Sequence, residues 1–258
     1  MVGAVRPPVK VLTWNLQGSH DLDVPAAAAV LRQASADVIA LQEVQRRQAA
    51  RLAAALSVGG RRWVLKHWPI VHRAEGLALI TAHRIVRAHR FVLSRGAIWR
   101  WQRRVGLDAT VDIPTIGAVR VLDVHLSPHE LGSQREREAQ LILARARCTD
   151  VAPIIVGDLN EPPGGGAVAA LAAAGWLDAW LARHGDAPGA TNWTGGDRAG
   201  RAPSQRIDYV LPPPGSIVHD AVVIDRTASS PGAADLDGMG SLSDHLPLLV
   251  TLRLPEAR

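Results

Sequence analysis

Apolar residues in this chain fall into short runs and alternations separated by Gly, Pro, Asn and Asp. Val9-Lys-Val-Leu-Thr-Trp14 alternates and is rich in β-formers, which predicts a strand ending at Asn15 and the loop Gln17-Gly-Ser-His20. Asp23 can cap a helix from about Pro25 to Ala34, with proline where its missing N–H is harmless. Asp37-Val-Ile-Ala-Leu41 is a continuous apolar run, the pattern of a buried strand, and it stops at Gln42-Glu43 before a helix from about Arg46 to Leu56. Four β-rich segments follow without a helix between them: Trp63–Trp68, Gly76–Thr81, Arg84–Leu93 and Ala97–Val111. They predict an antiparallel meander. Further strands are predicted at Val119–Leu126, Pro153–Val156, Ile207–Leu211, Ile217–Asp225 and Leu246–Leu254, and helices at Ser133–Arg147 and Gly166–Ala174. The stretches 183–205 and 226–243 are rich in turn residues and predict surface or site loops. Two strand-rich halves, each with its own helices, imply an α+β fold with a two-sheet core and helices outside. No repeat or linker interrupts the pattern, so one domain over residues 1–258 is expected.

Composition narrows the class. At 47% hydrophobic and 21% charged residues, the chain of 258 residues can bury a sizeable core. The longest run of small apolar residues, Ala167–Ala182, contains Gly175 and Asp178 and falls short of the ~20 apolar residues of a membrane helix. No basic segment followed by an apolar core opens the sequence, so a cytoplasmic location is the expectation. A single cysteine, Cys148, excludes an internal disulfide and a thiolate metal cluster, leaving oxygen and imidazole as metal ligands. The formal charge of +5 favours anionic partners. With Lys10 and Lys66 as the only lysines, an arginine-rich, GC-biased composition explains that charge equally well.

Candidate chemistry collects at the predicted strand ends. Gly157-Asp158-Leu159-Asn160 directly follows a buried strand, and on an extended chain Asp158 and Asn160 project to one face and can hold a water. A plain Gly-Asp turn with a left-handed Asn160 fits the same residues. Glu43 can bind a hard cation or can be an acid in the first turn of a helix. In Val121-Leu-Asp-Val-His125, Asp123 and His125 share a face, as a sheet surface facing a polar site requires, and a buried structural histidine reads the same way. Asp208 in Arg206-Ile-Asp-Tyr-Val210 and His245 in Ser243-Asp-His-Leu-Pro247 are candidates for a carboxylate–imidazole pair, which would raise the imidazole pKa and fix its tautomer.

These pieces occur in a fixed order, each at a predicted strand end. That order and the local sequences Trp14-Asn15, Leu41-Gln-Glu-Val44, Gly157-Asp-Leu-Asn160, Arg206-Ile-Asp-Tyr-Val210 and Ser243-Asp-His-Leu-Pro247 resemble the endonuclease/exonuclease/phosphatase superfamily, the deoxyribonuclease I-like metal-dependent phosphoesterases. The resemblance implies a four-layer α/β/β/α sandwich of two packed, mostly antiparallel sheets. It also implies Mg²⁺, replaceable by Mn²⁺, with Glu43 as principal ligand and Asn15 and Asp244 nearby. Asp158, oriented with Asn160, would position or deprotonate the attacking water. His245, held by Asp208, and His125 would contact the scissile phosphate. The leading reading is a nuclease or phosphodiesterase, active as a monomer. A phosphomonoesterase, a phospholipid headgroup hydrolase, and a phosphate- or nucleic-acid-binding module without chemistry are the alternatives.

The substrate is the least legible part. No acidic residue lies between Glu75 and Asp108, whereas Arg84, Arg87, Arg90, Arg95, Arg100, Arg103 and Arg104 do, interleaved with Trp99 and Trp101. Such a strip can follow the phosphate backbone of DNA or RNA while indoles stack on bases. It can equally be an edge hairpin whose arginines discourage strand pairing. Arg103, Arg104 and Trp193 are the candidate substrate contacts, with Thr191 and the Asn192-Trp193 pair read as loop packing beside the site.

Overall fold

Period-two alternation gives each strand an outer and an inner face, and in the computed structural model the inner faces meet to form the core. The structure describes residues 6–18, 20–65, 75–94, 104–128, 130–194, 198, 201–226 and 236–256. One sheet contains β1 (Val9–Asn15), β2 (Val38–Gln45), β3 (Gly60–Leu65), β4 (Glu75–Thr81), β10 (Ile217–Val223) and β11 (Leu248–Arg253), in the order β10-β11-β1-β2-β4-β3. The other contains β5 (Arg84–Ser94), β6 (Arg104–Ile113), β7 (Gly117–His125), β8 (Ile154–Asp158) and β9 (Asp208–Leu211), in sequence order. Among the described residues only β1–β2 and β7–β8 pair in parallel; the remaining pairs are antiparallel. The predicted meander is therefore divided: β3 and β4 close one sheet, and after β4 the chain crosses to the other, where β5, β6 and β7 follow one another.

Val9, Val11, Val38, Ala40, Leu77 and Leu79 of the first sheet pack against Val105, Leu107, Val119, Val121, Ile154 and Val156 of the second. The outer face of the first sheet, with Leu12, Trp14, Ile39 and Leu41, is covered by α1 (Val24–Ala34) and α2 (Arg46–Ala55). Leu122, Val124 and Ile155 on the second sheet are covered by α3 (Gly132–Ala146) and α4 (Gly166–Ala173). The result is the four-layer sandwich that the resemblance implies. Asp23 caps α1 as expected, accepting from the Ala26 N–H at 3.0 Å.

Two short helices lie in stretches without a helical pattern, α5 (Ala179–His184) and α6 (Leu236–Leu242). The first has too few residues to show a period. The second contains Gly238 and Gly240, which weaken intrinsic helicity; burial of Met239 and Leu242 against the Trp14 cluster holds it. No helix among the described residues is long and apolar enough to cross a membrane.

Arg120 ties the second sheet to its helices. Its guanidinium donates to both carboxylate oxygens of Asp108 at 3.0 and 2.9 Å and to the carbonyls of Arg145, Ala146 and Val151. It thereby receives the C-terminal carbonyls of α3, which a helix cannot satisfy itself. Replacing Arg120 by Met leaves Asp108 buried with only Arg145 as partner, so urea unfolding is expected to show a loss of about 3 kcal/mol.

Candidate active site

The inner faces that pack the core turn polar at one end of the sandwich. On β1 the series Val9, Val11 continues as Thr13, Asn15; on β7, Val119, Val121 continues as Asp123, His125; on β8, Ile154, Val156 continues as Asp158. Parallel pairing of β1 with β2 and of β7 with β8 brings four C-terminal strand ends to the same place. Antiparallel β9 begins there with Asp208, opposite Asp158. Asp244 and His245 arrive just before β11.

Three nitrogens converge on one carboxylate oxygen. Asp158 Oδ2 accepts from Asn15 Nδ2 at 2.9 Å and lies 3.4 Å from His125 Nε2 and 3.9 Å from His245 Nε2. Its other oxygen accepts from the Asn160 N–H at 2.8 Å. His245 Nδ1 is 2.8 Å from Asp208 Oδ2, which leaves Nε2 directed toward Asp158. Glu43 Oε1 stands 3.7 Å from His125 Nε2, and Asp244 Oδ1 stands 4.0 Å from His245 Nε2. The structure thus brings together Asn15, Glu43, His125, Asp158, Asp208, Asp244 and His245, all seven placed at this site by the sequence.

Local backbone devices aim these side chains. Glu43 has φ of 50° and sits where the register of β2 against β4 slips between Leu41 and Val44. A bulge of this kind re-aims a side chain and is strained for any residue but glycine. Gly157 has φ of 134°, and a Cβ there would lie 1.9 Å from the Val124 carbonyl oxygen. The strand ends at Asp158, and Asn160 has φ of 50°, so it does not project beside Asp158 from an extended chain. Asn160 acts instead through its own N–H and by donating Nδ2 to the Leu126 carbonyl at 3.1 Å.

Burial sets the electrostatics. Asp158 is pushed up to about 6, first by burial and then by the charge of Asp208, against His245 and the hydrogen bonds from Asn15 and Asn160. Burial alone would lower His245; the charge and hydrogen bond of Asp208, with Asp158 and Asp244, outweigh it and raise the imidazole to about 10. Asp244 is also raised, by burial and by Glu43, while His245 and Arg198 oppose the shift.

Glu43 and Asp244 are two acids whose charges oppose each other at a site mouth, a conflict that a hard cation relieves, and Asn15 adds an amide oxygen. Asn15 Oδ1 accepts from the Gln17 N–H at 3.0 Å and keeps a second lone pair. This oxygen-rich set fits Mg²⁺ or Mn²⁺. Asp158, Asp208 and His245 also place one ligand atom each within 4.8 Å of one another. Within that trio Asp208 already engages His245 Nδ1 at 2.8 Å, while Asp158 Oδ2 stands 3.9 Å from His245 Nε2.

The substrate candidates separate. Arg104 is only 9% exposed, with Nε and Nη1 lacking hydrogen-bond partners among the described residues. Burial lowers its pKa, opposed by the nearby charges of Glu43, Glu138, Asp158 and Glu75, so it belongs to the site and not to a surface strip. Arg84 and Arg87 are exposed on edge strand β5. Arg103, with Arg95, Trp99, Arg100 and Trp101, lies outside the described residues. Of the two readings of Trp193, the structure has loop packing and not substrate contact: its indole is buried in the Trp14 cluster and donates to the Arg201 carbonyl at 2.6 Å. Thr191, fully buried, accepts from the N–H groups of Ile207 and Asp208.

Sequence reasoning missed several supports. Ser243 Oγ donates to the Asn15 carbonyl at 2.6 Å and accepts from the His245 N–H, and Trp14 Nε1 donates to the His245 carbonyl at 2.9 Å. Both residues lie within the quoted motifs, although only the fold reveals their partners. Arg198, which bonds Gln17 Oε1 at 3.0 Å and the Gly240 carbonyl, has no local signal.

The family model described as the Endonuclease/Exonuclease/phosphatase family matches residues 12–245. No curated protein matches the chain. Among solved structures, an endonuclease/exonuclease/phosphatase from Beutenbergia cavernae is 25% identical, with a TM-score of 0.77 over 98% of this chain and 73% of that one. A mannosyl-6-phosphatase of Bacteroides thetaiotaomicron is 18% identical, with a TM-score of 0.72 over 95% of this chain and 99% of that one. The human Nocturnin catalytic domain with bound sulfate anion is 18% identical, with a TM-score of 0.71 over 96% and 94% of the two chains. Agreement in sequence from Leu12 to His245, and in fold over nearly the whole chain, places this protein in the endonuclease/exonuclease/phosphatase family, whose members hydrolyse phosphate esters.

Proposed function

We propose that the protein is a Mg²⁺-dependent phosphodiesterase, most readily a nuclease, that works by in-line attack of an activated water on phosphorus. The observation that carries this reading is the pairing of Asp158 Oδ2 with His245 Nε2 across 3.9 Å. One group is a carboxylate above pH about 6 and the other a cation below about 10, and a hydrogen-bonded oxygen can lie between them. Asp158 holds and deprotonates the water. Asn15 and the Asn160 N–H orient that carboxylate. His245, kept protonated by Asp208, donates to a phosphoryl oxygen as negative charge builds on it, with His125 Nε2 3.4 Å from the same Asp158 oxygen. Arg104 Nε and Nη1, which have no acceptor among the described residues, gain one when a phosphate enters. Mg²⁺ held by Glu43, with Asn15 and Asp244, would neutralise charge on a phosphate oxygen.

The test is hydrolysis of bis-p-nitrophenyl phosphate, p-nitrophenyl phosphate, plasmid, single-stranded DNA, RNA and inositol phosphates with Mg²⁺, Mn²⁺ or EDTA. Diester turnover that EDTA abolishes is the expected result. Absence of metal-dependent turnover would sink the reading, and a preference for monoesters would replace it with a phosphatase.

The same pair sets a pH profile. Activity requires Asp158 deprotonated and His245 protonated, so kcat/KM on bis-p-nitrophenyl phosphate should rise through pH about 6 and fall as pH approaches about 10. A profile still rising beyond pH 10 would remove His245 as the proton-bearing group.

A further inference from the structure

Gln42 and Asp123 face each other across the sheets, one residue from Glu43 and two from His125. Gln42 is fully buried; its Nε2 lies 2.7 Å from Asp123 Oδ1 and 3.0 Å from Thr13 Oγ1. Asp123 is also fully buried, its Oδ2 has no hydrogen-bond partner among the described residues, and burial pushes its carboxyl above the usual range against the hydrogen bond from Gln42. Nothing in the reaction described above uses this pair.

Glu43 needs more than its own strand to hold it. Its left-handed backbone is supported within the first sheet by the Leu16 N–H on the Gln42 carbonyl at 3.0 Å and by Trp63 Nε1 on the Val44 carbonyl at 2.9 Å. Gly18 lies so close that a Cβ there would meet the Glu43 carbonyl oxygen at 1.8 Å. These contacts aim the bulge but do not relate it to the other sheet, where Asp158 and His125 stand. The Gln42–Asp123 bond does, since Asp123 pairs in register with Val156 on β8, two residues before Asp158.

We propose that Asp123 and Gln42 are a positioning pair that sets the cross-sheet distance between Glu43 and the Asp158–His125 side of the site, and with it the affinity for the divalent cation. This rests on Glu43 being a ligand to that cation. The anchor needs an acceptor for Gln42 Nε2, which an amide oxygen also offers, so Asp123→Asn should preserve it, whereas Asp123→Leu and Gln42→Met should remove it.

Mn²⁺ affinity, read from the electron paramagnetic resonance signal of free Mn²⁺ without substrate, tests this on folded wild type, Glu43→Gln, Asp123→Asn, Asp123→Leu and Gln42→Met. Wild-type affinity in Asp123→Asn, with a loss of about 10- to 100-fold in Asp123→Leu and Gln42→Met, is expected. Gln42→Met carries the test if Asp123→Leu does not fold. Wild-type Mn²⁺ binding in the apolar variants, or equal losses in Asp123→Asn and Asp123→Leu, overturns the proposal while Glu43→Gln still weakens binding. Wild-type binding in Glu43→Gln overturns the reading of Glu43 itself, whatever the Asp123 variants do.

Discussion

Asp158→Asn is expected to lower kcat on bis-p-nitrophenyl phosphate by on the order of 10³- to 10⁴-fold without unfolding the protein. The substitution keeps the shape of the side chain and loses its charge. Four groups are arranged around that charge: Asn15 Nδ2, the Asn160 N–H, His125 and His245. An amide in its place cannot take the proton of the attacking water. It also removes one of the charges that keep His245 protonated, so the alkaline limb of the residual pH profile should move down. The stability effect has the opposite sign. Because the folded-state pKa of Asp158 is raised from 3.8 to about 6, its contribution to stability is present below the lower value and is lost as pH rises through the upper one. At pH 7 to 8 the buried carboxylate therefore strains the fold, and Asp158→Asn should melt no lower than wild type. Wild-type turnover in this variant would exclude Asp158 as the base; a large drop in melting temperature would mean that the charge supports the fold instead.

Gly157→Ala is expected to destabilise the protein by about 4–5 kcal/mol, at the upper end of single-residue effects. Two causes act together. The φ of 134° is open to glycine and strained for any L-residue with a side chain, and the new methyl would lie 1.9 Å from the Val124 carbonyl oxygen. Relief requires β8 to move away from β7, at the point where Gly157 pairs with Val124 and Asp158 with His125. Any variant that still folds should therefore lose activity as well, through displacement of Asp158. Urea unfolding followed by circular dichroism measures the first effect and diester hydrolysis the second. A midpoint within experimental error of wild type would show that the strands separate freely here.

Much of the candidate site was legible because its residues sit at strand ends with short-range signatures. Asn15, Glu43, His125, Asp158, Asp208, Asp244 and His245 each follow or precede an apolar run, and period-two alternation already put Asp123 and His125 on one face. Alternation does not say how deep a residue lies. Asp123 proved to be one step further inside than His125, facing Gln42 and not the opening. The sequence left Asn160 open between an extended and a left-handed conformation, and the structure has the left-handed one, which breaks the alternation of an extended chain. Trp193 was open between substrate contact and loop packing, because an indole beside a site can do either, and packing against the Trp14 cluster distinguishes the two. The arginine-rich stretch held two readings for a similar reason: Arg104 and Arg87 are alike in sequence, yet one is buried near carboxylates and the other lies on an open edge.

What the sequence by itself determined is the set of strands, the end of each at which the chemistry sits, and the oxygen and imidazole character of any metal site. These follow from local alternation, turn residues and a single cysteine, none of which needs a distant partner. Only the tertiary structure decided that the meander divides between two sheets, that Asn160 turns left-handed after Asp158, and that Glu43 is aimed by a strained bulge. It likewise placed the buried Asp123 on Gln42 across the core. Each of these depends on contacts between residues far apart in the chain, where the free energy of burying and pairing polar groups, and not local propensity, selects the partner.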